Sequence, residues 1–503
     1  TLMSYPLVAQ AQQILLPNQE YTESSTDLSV QTLAGPVRIQ RTWTAGQWYL
    51  NPAWANLRLI PDPLDGVLAV ERAGSIYERT GSQVSSQSAS SGTGATSANT
   101  GRIYRFDADN LLQQTTTGWR WYDRLGNSIQ YSATGVIQGY TNPYGTTINF
   151  TRDAQGRMVG IQDPEGRAIY TLDYDSAGRV TRITDIAGNA VGYLWNAQQQ
   201  LSEVTDSRGY VWRYAYDARS QIVRRTNPLG DSLEVTYASN PGDIPASTGF
   251  AGLGSGATWG GSSSASASSG ATKPPTPRNA RVASYEDEAG ARWTYRIEYN
   301  RVRQEYNIAI QRPDGSNSER RYNKEGWLMY ASVGGETQFQ RIVESATQHR
   351  LIDARGQTTT VRLDSNQQPV RTLYPDGSAE TVQYDSNGRK LRHTNALGHV
   401  STWRYDARGA LVQAIEAVGL PEQRSHRYTY DEWGNALTYT RGAGDAQGTD
   451  AATEHYSYDS WGNTRRWTDA TGQSWSYTHN ARGDVVTETT PLGHTWKAQY
   501  DSQ

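Results

Sequence analysis

The sequence predicts an all-β protein assembled from repeated hairpins. Three observations carry this. Glycines recur at a fixed interval, each closes a turn opened by Asp or Asn, and the residues between turns alternate. Gly145, Gly166, Gly188, Gly209 and Gly230 are spaced by 21, 22, 21 and 21 residues. Gly335, Gly356, Gly377, Gly398 and Gly419 follow one another every 21 residues, and Gly472 and Gly493 are again 21 apart. Self-similarity at a fixed period marks a repeat architecture, in which each unit covers its neighbour.

The turns come first. Asn142-Pro143-Tyr144-Gly145, Asp163-Pro164-Glu165-Gly166, Asp185-Ile186-Ala187-Gly188, Asp206-Ser207-Arg208-Gly209 and Asn227-Pro228-Leu229-Gly230 share an Asx at the first position and Gly at the fourth. Asn395-Ala396-Leu397-Gly398 and Asp469-Ala470-Thr471-Gly472 repeat it. That is a type I turn signature, since an Asx side chain bonds its own backbone and Gly tolerates positive φ. Halfway between these turns stands a second kind. It is Tyr174-Asp175-Ser176-Ala177-Gly178-Arg179, Tyr216-Asp217-Ala218-Arg219, Tyr384-Asp385-Ser386-Asn387-Gly388-Arg389 and Tyr405-Asp406-Ala407-Arg408-Gly409. Trp195-Asn196 and His479-Asn480 are degenerate copies, and Tyr430-Asp431, Tyr458-Asp459 and Tyr500-Asp501 are further ones.

The strands lie between. Thr181-Arg182-Ile183-Thr184 and Val211-Trp212-Arg213-Tyr214-Ala215-Tyr216 alternate with period 2, the pattern of a strand with two unlike faces. Each 21-residue unit is therefore strand, turn, strand, turn. A lone hairpin is marginal in water, so neighbours must pair edge to edge.

Composition agrees. The chain of 503 residues has 32 Tyr and 16 Trp but only 4 Phe, with 48 Gly. Tyr and Trp suit a sheet that is wet on both faces, because the ring packs while its polar tip keeps a partner. Lys+Arg is 47 against Asp+Glu 50, a net charge of −3, which argues against a dedicated nucleic-acid or anionic-membrane binder. Cysteine is absent, so disulfides and thiolate metal sites are excluded. No run of 18 apolar residues exists, and no membrane-spanning helix is expected.

A Tyr-Asp-x-x-Gly-Arg motif at this period resembles the YD repeat of the Rhs proteins, which teneurins and the shell components of Tc toxins share. The resemblance covers roughly residues 101–503, with interruptions. Asp27-Leu28-Ser29-Val30 and Val37-Arg38-Ile39-Gln40-Arg41-Thr42-Trp43 also resemble the β-region that precedes the repeats in Rhs proteins. The resemblance implies that the YD-repeat hairpin array forms a curved, spiralling hollow shell, or part of one. Strand arithmetic agrees: about 32 strands at roughly 4.8 Å make a ribbon of about 150 Å, which twist bends into a ring about 50 Å across.

The organisation read from the sequence is as follows. Residues 1–80 form an N-terminal β-region outside the period, in which Leu2 to Gln10 is a disordered or strand-forming terminus, or else the tail of an export signal. Residues 81–100 form a flexible Ser/Gly-rich loop, and 101–247 a first repeat block. Residues 248–279 are a low-complexity insertion, and 280–503 a second block that stops inside a repeat. That ending suggests truncation within the array, and Gly442 to Asp450 expand one unit.

No residue stands out for catalysis. The Asp residues recur once per unit at turns, as a structural role requires. Arg157, Arg167, Arg179 and Arg389 follow turn glycines, where pairing with neighbouring acids or stacking on Tyr is expected. His349, His393, His399, His426, His455, His479 and His494 lie at strand and turn positions without metal-ligand spacing. No catalytic, cofactor or metal site is expected. Many Rhs proteins carry a self-cleaving aspartyl-protease segment at the end of the core, and its pattern is not found here. Asp163-Pro164-Glu165-Gly166 is a turn of the array.

The resemblance thus implies a non-catalytic container for a C-terminal toxin in competition between bacteria, secreted or at the cell surface. Its partners would be the remaining core, the toxin polypeptide and components of a secretion system. A cell-surface adhesion or scaffold protein built from the same repeat is the alternative. A carbohydrate-processing protein would need a paired-carboxylate cleft, and no such pair stands outside the repeat register.

Overall fold

The computed structural model describes residues 14–62, 66–79, 101–106, 110–238, 256–258, 280–324, 326–443 and 451–500. Among these there is no helix, and so none long and apolar enough to cross a membrane. One antiparallel sheet runs in chain order from the strand Arg58–Asp62 to the strand Thr495–Lys497. Every strand pairs with the one before and the one after, as in Val180–Asp185 between Ala168–Tyr174 and Ala190–Trp195. Short turns make this order unavoidable, because a two-strand hairpin leaves each strand beside its neighbour in sequence.

The turns have one repeated geometry. In Asp175–Arg179 the Asp175 N–H donates to the Arg179 carbonyl at 2.9 Å and the Gly178 N–H to the Asp175 carbonyl at 3.0 Å. Gly178 sits at φ 78°. This is a type I turn closed by a left-handed residue, and the register slips by one between Asp173 and Tyr174 beside it. Gly145, Gly166, Gly188, Gly209, Gly230, Gly356, Gly377, Gly388, Gly398, Gly409, Gly472 and Gly493 hold the same position with φ between 75° and 97°. Gly419 has φ 80° but lies in a wider loop, where its N–H donates to Gln423. Three turns do without glycine: Gln199, Ser220 and Gln367 take φ of 63°, 61° and 64°.

Successive turns fall alternately on the two long edges of the ribbon. The Tyr-Asp turns (among them 175–179, 385–389 and 431–435) share one edge. The turns at 123–127, 142–146 and 163–167 share the other. The cyclic strand order is that of a barrel. Yet no strand register among the described residues joins Thr495–Lys497 to Arg58–Asp62. The ribbon overlaps itself instead, through contacts between turns, and is a spiral of somewhat more than one coil.

A second sheet made of Glu23–Thr32, Gly35–Thr44 and Gln47–Pro52 lies against the first coil. Gly256–Thr258, inside the insertion expected at 248–279, adds a strand to its edge. The rest of that insertion and residues 81–100 lie outside the described residues, as do Leu2 to Gln10. The sequence period starts near Gly101, whereas the long sheet already begins at Arg58.

The buried core is the seam between these two sheets. Val30, Ile39, Trp43 and Trp48 from the smaller sheet meet Ile161, Tyr170, Ile183, Val191 and Val204 from the ribbon. Later strands lack this cover. Ala379–Tyr384, Ser474–His479 and Val485–Thr489 contain no buried residue.

Candidate functional site

The repeat unit is built from its turn outward. The Asp175 carboxylate accepts the backbone N–H groups of Ala177 and Arg179 and the Arg179 Nε, at 2.9, 2.9 and 2.7 Å. Those donors hold its pKa below the usual carboxylate value against the opposing effect of burial. Asp153, Asp163 and Asp385 bind Arg157, Arg167 and Arg389 in the same way, at 2.6, 2.6 and 2.7 Å.

Each turn is then tied to the next unit. The Tyr174 hydroxyl donates to the Met158 carbonyl at 2.6 Å, Tyr216 to Leu201 at 2.7 Å, and Tyr384 to Pro369 at 3.1 Å. Trp195 does the same with its indole N–H, to Val180 at 2.7 Å. Above these bonds the arginine of one turn lies over the ring of the following unit: Arg157 over Tyr174, Arg179 over Trp195, Arg389 over Tyr405. Tyr-Asp and Gly-Arg are therefore two halves of one device. The Asp fixes its own turn, the Arg reaches forward and the Tyr reaches back. Asp217 and Asp406 take the same place, with Arg219 and Arg408 on their accepting oxygens.

The second feature is the overlap of coils. Arg124 donates to Gln368, 244 residues on, at 3.3 Å. Arg167 donates to the Ser460 carbonyl, 293 residues on, and its guanidinium sits 3.3 Å from the centre of the Trp461 ring. Tyr144 lies flat on Gly434, and Arg124 on Gly388. One edge of the first coil thus rests on the Tyr-Asp edge of the second. The glycines leave the room. A cavity of about 350 Å³ runs along this line, between Arg124 and Leu125 on one side and Arg389 and Arg408 on the other. With 19 to 23 strands of the long sheet between the touching turns and roughly 4.8 Å between strands, one coil is about 90–110 Å around and about 30–35 Å across.

The third feature is the face covered by the N-terminal sheet. Tyr193 donates to Asp27 at 2.8 Å, and Tyr214 to Glu23 at 2.8 Å. Trp48 donates to the Tyr216 hydroxyl at 2.8 Å, and Tyr170 to the Val37 carbonyl at 2.7 Å. Arg41 pairs with Asp27 at 3.0 Å, both almost wholly buried, and also donates to Tyr214. Burial raises the Tyr193 and Tyr214 hydroxyls well above their ordinary range, so both stay protonated donors. The smaller sheet is thus held by carboxylates inserted among the ribbon's tyrosines. Sequence reasoning did not find this, because Glu23 and Asp27 lie outside the period.

The histidines are scattered. His349 is buried against Trp327, His393 lies 3.3 Å from Glu380, and His426 stacks on Tyr439. Among the described residues no group of three or more His, Asp or Glu side chains is placed to hold a metal ion.

Fold and contacts define a coiled ribbon of β-hairpins with one face covered by the N-terminal sheet over its first coil. The RHS Repeat family model matches residues 174–207, 195–232, 384–421 and 458–495. Those segments carry RHS repeats. The chain is 27% identical over 123 residues to Double-stranded DNA deaminase toxin A of Burkholderia cenocepacia (strain H111), a match spanning 20% of this chain and 9% of that protein. Among solved structures it is similar to the Photorhabdus luminescens Tc holotoxin pore carrying the TccC3-D651A mutation, at 11% identity and a TM-score of 0.41, over 95% of this chain and 25% of the other. The TcdB2-TccC3-TEV crystal structure matches at 11% identity and a TM-score of 0.40, over 92% and 22%. The chain spans well under two thirds of each of these relatives.

Proposed function

We propose that this chain is a wall of a non-catalytic β-shell that holds a C-terminal toxic polypeptide and helps deliver it to a competing bacterium. The observation that carries this reading is the single sheet face that receives polypeptide in the first coil and carries only half-buried rings in the later strands of the second. Tyr193, Tyr214 and Tyr216 engage the N-terminal sheet. The corresponding positions of later units hold Trp403, Tyr428 and Tyr456, which are only half-buried. A wall of half-wet Tyr and Trp suits a polypeptide held without a fixed fold, since it offers both ring faces and hydrogen-bond groups. The toxin named among the relatives supports the same reading. The protein would act outside the cell that makes it, secreted or at the surface, with a secretion system as partner.

The test uses the complete protein with whatever follows Gln503. Limited proteolysis of the intact assembly is expected to spare the downstream polypeptide while cutting it after the shell is unfolded in urea. Equal cleavage before and after unfolding would contradict the container reading.

A surface scaffold is favoured by a different observation. Leu229, Leu397 and Leu492 stand 88, 80 and 84% exposed at turns of one edge. Such knobs suit docking against another ribbon. Binding to partner cells without toxicity would select that reading.

A further inference from the structure

The face that meets the N-terminal sheet can be followed strand by strand through its cross-strand partners. Tyr214 lies opposite Arg225, and Arg225 opposite Leu233. Val235, on the same face as Leu233, lies opposite Tyr285, and Tyr285 opposite Trp293. Ile297, on that face, lies opposite Ile308, Ile308 opposite Arg320, and Arg320 opposite Ala331. Ala331 then lies opposite Phe339, and Phe339 and Arg341 share a face at period 2. Arg225, Arg320 and Arg341 therefore belong to one continuous surface.

Their surroundings differ. In the first coil the Arg225 cation of this surface meets carboxylates. It lies 3.7 Å from Glu23 and pairs with Glu288, while the covering sheet's own Arg41 is held by Asp27. Glu23 and Asp27 both come from the sheet laid on the face. In the second coil Arg320 is 1% exposed, and its Nη1 donates only to the Glu319 and Ser332 carbonyls. Its Nη2 has no hydrogen-bond partner. Arg341 stands over the rings of Trp327 and Phe339, 5.1 and 5.9 Å away, with its Nε buried and unbonded. No carboxylate lies in ion-pair range of either guanidinium among the described residues. A buried cation without a counterion is costly, and burial lowers the pKa of both groups. His349 packs edge-on against Trp327, and burial together with the charge of Arg341 keeps it neutral, so it supplies no compensating charge.

We propose that the half-buried Arg341, standing over Trp327 and Phe339, forms a receptor for Asp or Glu side chains of a polypeptide seated on this face, with the buried Arg320 two strands away adding its charge from beneath. The first coil supplies the pattern, with carboxylates of the added sheet bonded to the tyrosines of the same surface and one of them, Glu23, in ion-pair range of Arg225. This favours peptide carboxylates over nucleic-acid phosphates, as does the net charge of −3. The inference rests on the container reading for its occupant, and it adds that the occupant is acidic where it crosses these strands.

The test is binding of short labelled peptides to the whole chain by fluorescence anisotropy. The probes are an alternating Thr–Glu peptide, its Thr–Gln and Thr–Lys twins, and a single-stranded oligonucleotide. The Thr–Glu peptide is expected to bind roughly ten-fold more tightly than the Thr–Gln peptide, a preference that Arg341→Gln removes and Arg341→Glu turns towards Thr–Lys. Arg341 is half-buried, so its variants keep the fold testable by circular dichroism. Equal binding of the Glu and Gln peptides, tighter binding of the oligonucleotide, or a Glu preference kept in both variants would overturn the proposal. The protease-protection result for the complete protein stands apart. Protected cargo with no acidic preference defeats this inference alone, and unprotected cargo defeats the container reading alone.

Discussion

Asp163 shows what a repeated turn residue does. It is fully buried, and its carboxylate accepts the Glu165 and Arg167 N–H groups and the Arg167 Nε at 3.0, 2.8 and 2.6 Å. Asp163→Ala leaves those donors unmet and is expected to lower stability by about 2–3 kcal/mol in urea denaturation. The turns that lack glycine hold the opposite lesson. Gln199 at φ 63° carries a Cβ in a region that L side chains avoid. Gln199→Gly relieves this at some cost in chain entropy, and a net gain of about 0.5 kcal/mol is expected. An unchanged urea midpoint would show the turn to be unstrained. The Asx-x-x-Gly signature made both roles legible. It did not show that the following Arg reaches forward to the next ring, because that contact needs the registry of two units.

Tyrosine also sets a response to pH. Burial pushes the hydroxyls of Tyr174, Tyr322 and Tyr430 up to about 12. A group whose folded pKa is raised contributes stability that is fully present below its unfolded pKa, near 10, and lost as pH rises through the folded value. Stability is therefore expected to fall between about pH 10 and pH 12, with tyrosinate absorbance rising late and together with unfolding. Early titration of most tyrosines, with the β-sheet signal intact, would contradict this. The carboxyls of Asp153 and Asp175 are shifted down, so their contribution is present above about pH 4 and lost as pH falls through their lower folded values.

At the scale of the element, the hairpin was legible and its neighbours were not. Period 2 between turns and period 21 between glycines give the strands, their order and their antiparallel sense. The contact between coils is absent from any such pattern, because curvature decides which turn meets which. Gly434 and Gly230 illustrate the difference. Both have positive φ, at 91° and 97°. A methyl group on Gly230 meets open space, whereas one on Gly434 would lie 2.5 Å from the Tyr144 ring. Gly434→Ala is expected to cost clearly more than Gly230→Ala, which carries only the backbone penalty of about 1 kcal/mol. Equal losses would remove the seam from the account. The N-terminal sheet was legible as strands but not as a cover. Asp27→Asn leaves Arg41 buried without its counterion, and a loss of about 3–5 kcal/mol is expected.

For the whole molecule, a ribbon that touches itself after 244 to 293 residues must enclose space. Its first coil is lined by its own N-terminal sheet, and its second presents aromatic rings and uncompensated cations on the same face. The chemistry of such a wall lies in what it holds. The coil size from contacts, about 30–35 Å across, is smaller than the roughly 50 Å drawn from strand count alone, because the ribbon passes through more than one coil. The place of Arg320 and Arg341 on one face escaped the sequence because it follows from the register of successive strand pairs and not from the turn period.

The overlap of coils is the claim on which the rest depends, and the absence of cysteine from the chain makes it directly measurable. Two engineered pairs, Arg124→Cys with Asn387→Cys and Leu229→Cys with Asn387→Cys, are treated with a short bis-maleimide and digested. The first pair is expected to join within one chain to near completion while the second stays open. Absence of the first link, or equal yields from both, would contradict the spiral.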